Sequence, residues 1–265
     1  MHLDLLLDAV RTDPEGLTVP IDWGQGRTCY GGLMAALLYE AMRHKVSAER
    51  RVRSLAITFV GPALAGVPLA FEVEMLREGK GVSSLLGRAV QGGQVVTLMQ
   101  ASFGAPRASQ VTVHNRPVAE MTALADTTEL PFMPGITPEY LRHVALRWGI
   151  GAMPFTHTPS LAMGGWMRLR EPGPVRALDE ARLLVLVDAW PPAVLPHLKA
   201  PAPGSTLTWT IEFVQPAPAT DTEQWCRYCA VVEHALDGYG HTAAGIWNQS
   251  GDLLAISRQT VTVFA

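Results

Sequence analysis

Leu183-Leu184-Val185-Leu186-Val187-Asp188-Ala189-Trp190-Pro191-Pro192 is the stretch on which the fold turns. Five aliphatic residues lead into one acid, and two prolines end the run. A carboxylate at such a place is expensive to bury unless a partner holds it or chemistry uses it. Taken alone, Asp188 also reads as a turn residue before proline. The run fits a buried strand, because β-branched residues crowd it. It fits a buried helix equally well, and periodicity does not separate the two.

On the C-terminal side the pattern is plainer. Residues 207–214 read as a strand closed by Pro216, and 225–234 as another. Asp237-Gly238-Tyr239-Gly240 is a hairpin turn, followed by strands over 241–248 and 253–264 around a turn at Ser250-Gly251-Asp252. Towards the N-terminus, 139–170 holds two strand-like pieces, 141–150 and 164–170. Before them, 105–138 carries Pro106, Pro117, Pro131, Pro134 and Pro138 with little periodicity and reads as a connection.

The first part of the chain begins with an amphipathic helix, Leu3, Leu6, Leu7 and Val10 sharing a face. A strand is expected over 17–23. Tyr30-Gly31-Gly32 then opens a run over 33–44 that is apolar nearly all round, so this helix must be wrapped by something. Strands follow over 52–61, 69–77, 82–91 and 95–103, with Gly turns between the later ones.

The two parts repeat. Phe59-Val60-Gly61-Pro62 matches Phe213-Val214-Gln215-Pro216 at an offset of 154 (213 − 59). The hairpin glycines Gly79 and Gly238 are 159 apart (238 − 79), and the last turns, Gly93 and Gly251, 158 apart (251 − 93). The same order of elements therefore occurs twice. The counterpart of the helix after Gly32 is the run ending at Asp188, and this makes the ambiguous run a helix. The fold class expected is α+β: a double hot-dog of two tandem units, each a long helix wrapped by an antiparallel sheet. The units span 1–108 and 139–265, and 109–138 links them.

Composition narrows the function. A formal charge of −3 leaves no basic excess to neutralise phosphates, so nucleic acid is not an expected partner. Arg50, Arg51 and Arg53 form a local basic run, read as a solvated cluster. No stretch has the length of a membrane span, and the first residues lack a signal peptide's basic flank, so a cytoplasmic protein is expected. Three cysteines fit a reducing compartment. Cys226-Arg227-Tyr228-Cys229 has no second pair to complete a zinc site, and in a strand its two thiols face opposite sides. No metal or cofactor is expected.

Several short motifs, in order, resemble the acyl-CoA thioesterase II family, a double hot-dog group. They are Tyr30-Gly31-Gly32, Ser54-Leu55 with Phe59 and Pro62, Val73-Glu74, Leu76-Arg77-Glu78-Gly79 and Ala101-Ser102-Phe103. In the second half they are Val187-Asp188 with Pro191 and Pro196, Phe213 with Pro216, and Ser257-Arg258-Gln259. The resemblance implies hydrolysis of acyl-CoA by a catalytic Asp, a Thr or Ser, and a Gln that together hold a water. By motif these roles fall on Asp188, Thr210 and Gln259, with Thr208 as the alternative hydroxyl if the register slips by two. Asp188 would take the proton from water, and the hydroxyl and amide would aim it. Backbone N–H groups at the helix opened by Gly31 and Gly32 would hold the oxyanion. Glu40, one residue beyond the position where single hot-dog enzymes often carry their acid, is a rival about 100° round the helix. Trp166, Trp190 and Trp209 are candidates for an acyl pocket or for core. A homo-oligomer is expected. The competing readings are a non-catalytic acyl-binding protein and an enoyl-CoA hydratase; the second wants a His near the acid, and His197 is the first to follow.

Overall fold

A helix without a polar face has to be surrounded, and the fold is the means by which that happens. In the computed structural model, which describes residues 1–170 and 173–264, α2 (Gly31–Arg43) is buried continuously from Gly32 to Met42. Before it come α1 (Leu3–Thr12), β1 (Leu17–Thr18), and a small ribbon of β2 (Gly24–Gln25) and β3 (Thr28–Cys29). α1 buries Leu3, Leu6, Leu7 and Val10, the face its spacing predicts. The strand expected over 17–23 stops at Thr18. Pro20 breaks it, and Ile21–Trp23 turns as a single 3-10 helix. That turn aims Trp23 inward, where it stacks on His143 at 3.9 Å.

β4 (Arg51–Phe59), β5 (Pro68–Glu78), β6 (Val82–Gln91) and β7 (Gln94–Gly104) follow α2. The second half has β8 (Val144–Ile150), β9 (Ala162–Leu169), α3 (Glu180–Val187), β10 (Gly204–Phe213), β11 (Cys226–Leu236), β12 (Tyr239–Trp247) and β13 (Leu253–Val263). The stretch that opened the sequence reading is thus a helix. Asp179 caps it, accepting from the Arg182 N–H at 2.9 Å, and Asp188 ends it before the two prolines.

Eleven strands join in one sheet in the order β1-β5-β6-β7-β4-β10-β13-β12-β11-β9-β8, every neighbouring pair antiparallel. At its centre β4 pairs with β10, with Leu55 opposite Ile211 and Ile57 opposite Trp209. Outward from this seam the order β7-β6-β5 on one side answers β13-β12-β11 on the other. α2 packs against β5, β6 and β7, α3 against β9, and the two helices against each other. The Tyr30 hydroxyl, at the start of α2, donates to the Val185 carbonyl in α3 at 2.6 Å.

Residues 105–138 have few regular elements, with one 3-10 turn at Leu124–Asp126. They are nonetheless held: Met121 and Leu124 pack on Trp166 and Trp225, and the Trp166 indole donates to the Thr122 carbonyl at 3.0 Å. Charged groups lock α1 onto both helices. Arg182, 3 % exposed, is ion-paired to Asp4 and Asp179. Glu40 accepts from Arg11 at 2.7 Å and lies 2.9 Å from His44. The rival acid therefore serves this network. Cys226 and Cys229 are free thiols one strand face apart. Among the described residues no helix is long and apolar enough to cross a membrane.

Candidate active site

Asp188 stands at the C-terminal end of α3, and a glycine with no room for a side chain faces it. A Cβ on Gly31 would lie 2.8 Å from Asp188 Oδ2 and 3.2 Å from Phe59 Cζ. Gly32 is equally confined: a Cβ there would fall 2.5 Å from the Tyr30 hydroxyl. The opening glycines of α2 thus let the acid of the second half approach the helix N-terminus of the first, where unpaired N–H groups and the helix dipole favour negative charge. The Gly32 N–H is turned to the carboxylate.

On the other side, Gln259 Nε2 donates to Asp188 Oδ1 at 2.8 Å. Its amide oxygen remains an acceptor. Around the acid are three buried phenols, Tyr30, Tyr140 and Tyr228. The Tyr140 hydroxyl donates to the Ala189 carbonyl at 3.0 Å, and its ring stacks on Tyr30 at 4.0 Å. In this apolar surround the Asp188 carboxyl is pushed up from 3.8 to about 7 by burial, against the hydrogen bonds from Gln259 and Gly32, which favour the charged form. Burial, with the charge of Asp188 nearby, also pushes the Tyr30 hydroxyl well above its ordinary range.

Asp188 and Gln259 line a cavity of about 420 Å³, with Gly31, Phe59, Trp190 and Thr206 also in its wall. The structure therefore brings together Asp188, Gln259, Gly31 and Gly32. It does not bring Thr210 to them. In β10, Trp209 lies opposite Gln259, so the two share the inner face; Thr210 lies opposite Arg258 and shares the outer one. Trp209, Ile211 and Phe213 are buried in alternation, and Thr208 is exposed on the same side as Thr210. The pairing slips between Thr206 and Thr208, leaving Leu207 as an extra residue. Such a bulge reverses the facing of everything before it. Thr206, opposite Val261, consequently faces inward and lines the cavity. Sequence reading chose Thr210 by its motif position three before Phe213, and strict alternation back from Phe213 puts Thr206 outside as it does Thr210 and Thr208.

Of the tryptophans, only Trp190 lines this cavity, stacked on Tyr228 at 5.5 Å. Trp209 is core, its indole donating to the Ser257 hydroxyl at 2.8 Å, and Trp166 belongs to the cluster over residues 121–124. Among the described residues no three of His, Cys, Asp and Glu gather to hold a metal ion.

Comparison with known proteins finds matches over most of the chain. The model of the acyl-CoA thioesterase N-terminal domain matches residues 19–104, and that of the acyl-CoA thioesterase C-terminal domain matches residues 118–263. Acyl-CoA thioesterase 2 of Haemophilus influenzae is 24 % identical over 252 residues, covering 88 % of this chain and 86 % of that protein. A hot-dog-fold protein of unknown function from Alicyclobacillus acidocaldarius superposes with a TM-score of 0.79 at 26 % identity, covering 94 % of this chain and 92 % of its own. An acyl-CoA thioesterase II from Mycobacterium marinum superposes with a TM-score of 0.69 at 20 % identity, over 99 % and 97 % of the two chains.

Proposed function

Since the chain belongs to the acyl-CoA thioesterase family and is a thioester hydrolase of the hot-dog fold, we propose that Asp188 is its general base and that Gln259 and Thr206 hold the attacking water. The observation that carries this is the pair formed by Asp188 and Gln259, at 2.8 Å, in a cavity whose opposite wall is the glycine start of α2. Gln259 spends its N–H on the carboxylate, and its amide oxygen accepts from the water. The Asp188 pKa of about 7 suits a base at neutral pH, where it is half ionised and still basic enough to take a proton.

The water oxygen attacks the thioester carbonyl carbon as its proton passes to Asp188. The carbonyl oxygen becomes an oxyanion, held by N–H groups at the start of α2. When the oxyanion collapses, the C–S bond breaks, and the thiolate of CoA takes the proton back from Asp188. The products are the free acid and CoA. Nothing in this sequence calls for a cofactor.

Thr206 replaces Thr210 in this scheme because Thr206 lines the cavity and Thr210, on the outer face of β10, does not. The same reading takes the chain as two hot-dog units, 1–108 and 139–265, joined by 109–138. The symmetry of strand order about the β4–β10 seam supports it. The site then lies between units, with the acid from the second and the oxyanion donors from the first. Three free cysteines fit a reducing, cytoplasmic setting. Release of free CoA from acyl-CoAs of graded chain length, with Asp188→Asn alongside, tests the mechanism. Release by the variant at the native rate would remove Asp188 from it.

A further inference from the structure

A second cavity, of about 900 Å³, lies at the N-terminus of α3. Its walls answer those of the first piece by piece. Phe59-Val60-Gly61-Pro62-Ala63 lines the first cavity, and Phe213-Val214-Gln215-Pro216-Ala217 lines the second. The entry to α2 contributes Thr28, Cys29, Gly31 and Met34 to one; the entry to α3 contributes Ala177, Leu178, Glu180 and Leu183 to the other, each 149 further on (180 − 31). Gly204 to Leu207, opening β10, are matched by Arg51 and Arg53, opening β4. Thr262 and Phe264, at the end of β13, are matched by Ala105 and Pro106, just beyond β7. The antiparallel seam of β4 and β10 relates the two cavities.

The reactive groups are not repeated. At the offset of 149, the counterpart of Asp188 is Tyr39, and that of Gly31 is Glu180. At the offset of the last turns, 158, the counterpart of Gln259 is Ala101. The Glu180 carboxylate accepts from Gln215 Nε2 at 2.8 Å and lies 3.3 Å from the Tyr39 hydroxyl. A carboxylate so placed occupies the helix entry that would receive an oxyanion and repels one. Charge differs as well. Among the described residues, Asp188 alone of the Asp, Glu, Lys, Arg and His residues lines the first cavity, whereas Arg51 and Arg53 are among those lining the second. Arg53 donates to the Gly104 carbonyl, and Arg51 is exposed. Three acids line it too: Asp179 is committed to Arg182 and Glu180 to Gln215, while Glu49 is exposed at the rim. A carbon-rich floor of Leu183, Phe213 and Leu254 lies beneath.

The geometry points to a second acyl-CoA site that binds without hydrolysing, with the acyl chain against Leu183, Phe213 and Leu254 and the phosphates of CoA at Arg51 and Arg53. An anionic head joined to an apolar tail is the ligand that this lining fits, and duplication of the walls is what brings the same ligand class to both cavities. The inference rests on acyl-CoA being the ligand of the first site.

The test is the number of S-alkyl-CoA thioether molecules, which cannot be hydrolysed, bound per full-length chain in isothermal titration with alkyl chains from four to sixteen carbons. Two per chain is expected for at least one length. Ala105→Trp, which fills the second cavity from its half-exposed rim, is expected to bind one. Arg51→Glu, a change on an exposed side chain, is expected to weaken the second site tenfold or more and leave the first. Both variants keep the native initial rate of CoA release. One thioether per chain in the native protein at every length overturns the site, as do two per chain that neither variant alters. Failure of the catalytic reading is seen elsewhere: Asp188→Asn would keep releasing CoA, whatever the stoichiometry.

Discussion

Replacing Asp188 by Asn should remove activity and raise stability together, and the pH dependence of both should report one ionisation. Asn is nearly isosteric with Asp and keeps an oxygen to accept from Gln259 Nε2. Without a base, kcat is expected to fall by about 10² to 10⁴. The stability effect follows from linkage. Burial raises the folded-state carboxyl from 3.8 to about 7. Below pH 3.8 both folded and unfolded chains hold the proton and the site carries no penalty. As pH rises the unfolded chain ionises first, so folding must retain a proton or bury a charge. The penalty reaches about 1.6 kcal/mol at pH 5 and levels off near ~4 kcal/mol above pH 7.5. The carboxylate still touches the cavity's water, so ~4 kcal/mol is an upper bound. Asn carries no such penalty at any pH. In differential scanning calorimetry the variant should melt higher than the native chain by several degrees at pH 8.5, at about 2 °C per kcal/mol, with the gap shrinking by more than half at pH 5. In the native protein kcat/KM should rise with pH and level off above an inflection near pH 7. A melting gap that stays constant from pH 5 to 8.5, or a kcat/KM flat from pH 6 to 8, would refute the reasoning.

Gln259→Ala removes a hydrogen bond that favours the charged carboxylate, so the inflection in kcat/KM should move to higher pH while the maximal rate falls; a pH–rate profile reads both. Gly31→Ala suits a helix, yet its methyl would meet Asp188 Oδ2 at 2.8 Å and Phe59 at 3.2 Å. An intact fold by circular dichroism with kcat down by about 10² is expected. Thr206→Val should lower kcat about tenfold or more, whereas Thr210→Val, on the outer face, should leave it within twofold; steady-state assays of the two side by side separate the registers. Arg182→Met leaves Asp4 and Asp179 without their buried partner and should cost about 3 kcal/mol or more by urea unfolding.

How much of this was legible beforehand depended on which interactions are local. The strands of the first half announced themselves by alternation, as in Phe71, Val73 and Met75, and α2 by an unbroken apolar run. α3 was different. Its last five residues, Leu183 to Val187, are aliphatic and two of them β-branched, and only the repeat turned them from strand to helix. The strand expected over 17–23 failed on Pro20, a local signal that was present and was outweighed by the residues around it. Asp188, Gln259 and the paired glycines were recognisable by motif, but nothing local said that they meet. The acid and the amide are 71 residues apart, and the acid and Gly31 are 157 apart (188 − 31). Their meeting is a property of the β4–β10 seam and the packing of α2 on α3.

Thr206 marks the limit of reading by pattern. A strand's facing is fixed by counting in twos from a known inner residue, and Phe213 supplies one. Every position back to Thr208 obeys that count. At Leu207 a single extra residue makes the count odd, and Thr206 turns inward, while Thr210 and Thr208, expected by motif, stay on the outer face. Leu207 is itself exposed, as a bulged residue on an otherwise inward-facing parity is free to be. The bulge lies where β10 leaves the seam with β4, whose last paired residue is Thr58, opposite Thr208. Beyond that point β10 pairs with β13 alone, so an irregularity there disturbs one ladder instead of two. The free edge of the seam is therefore the place where a register can slip at least cost, and it opens directly onto the cavity beside Asp188 and Gln259.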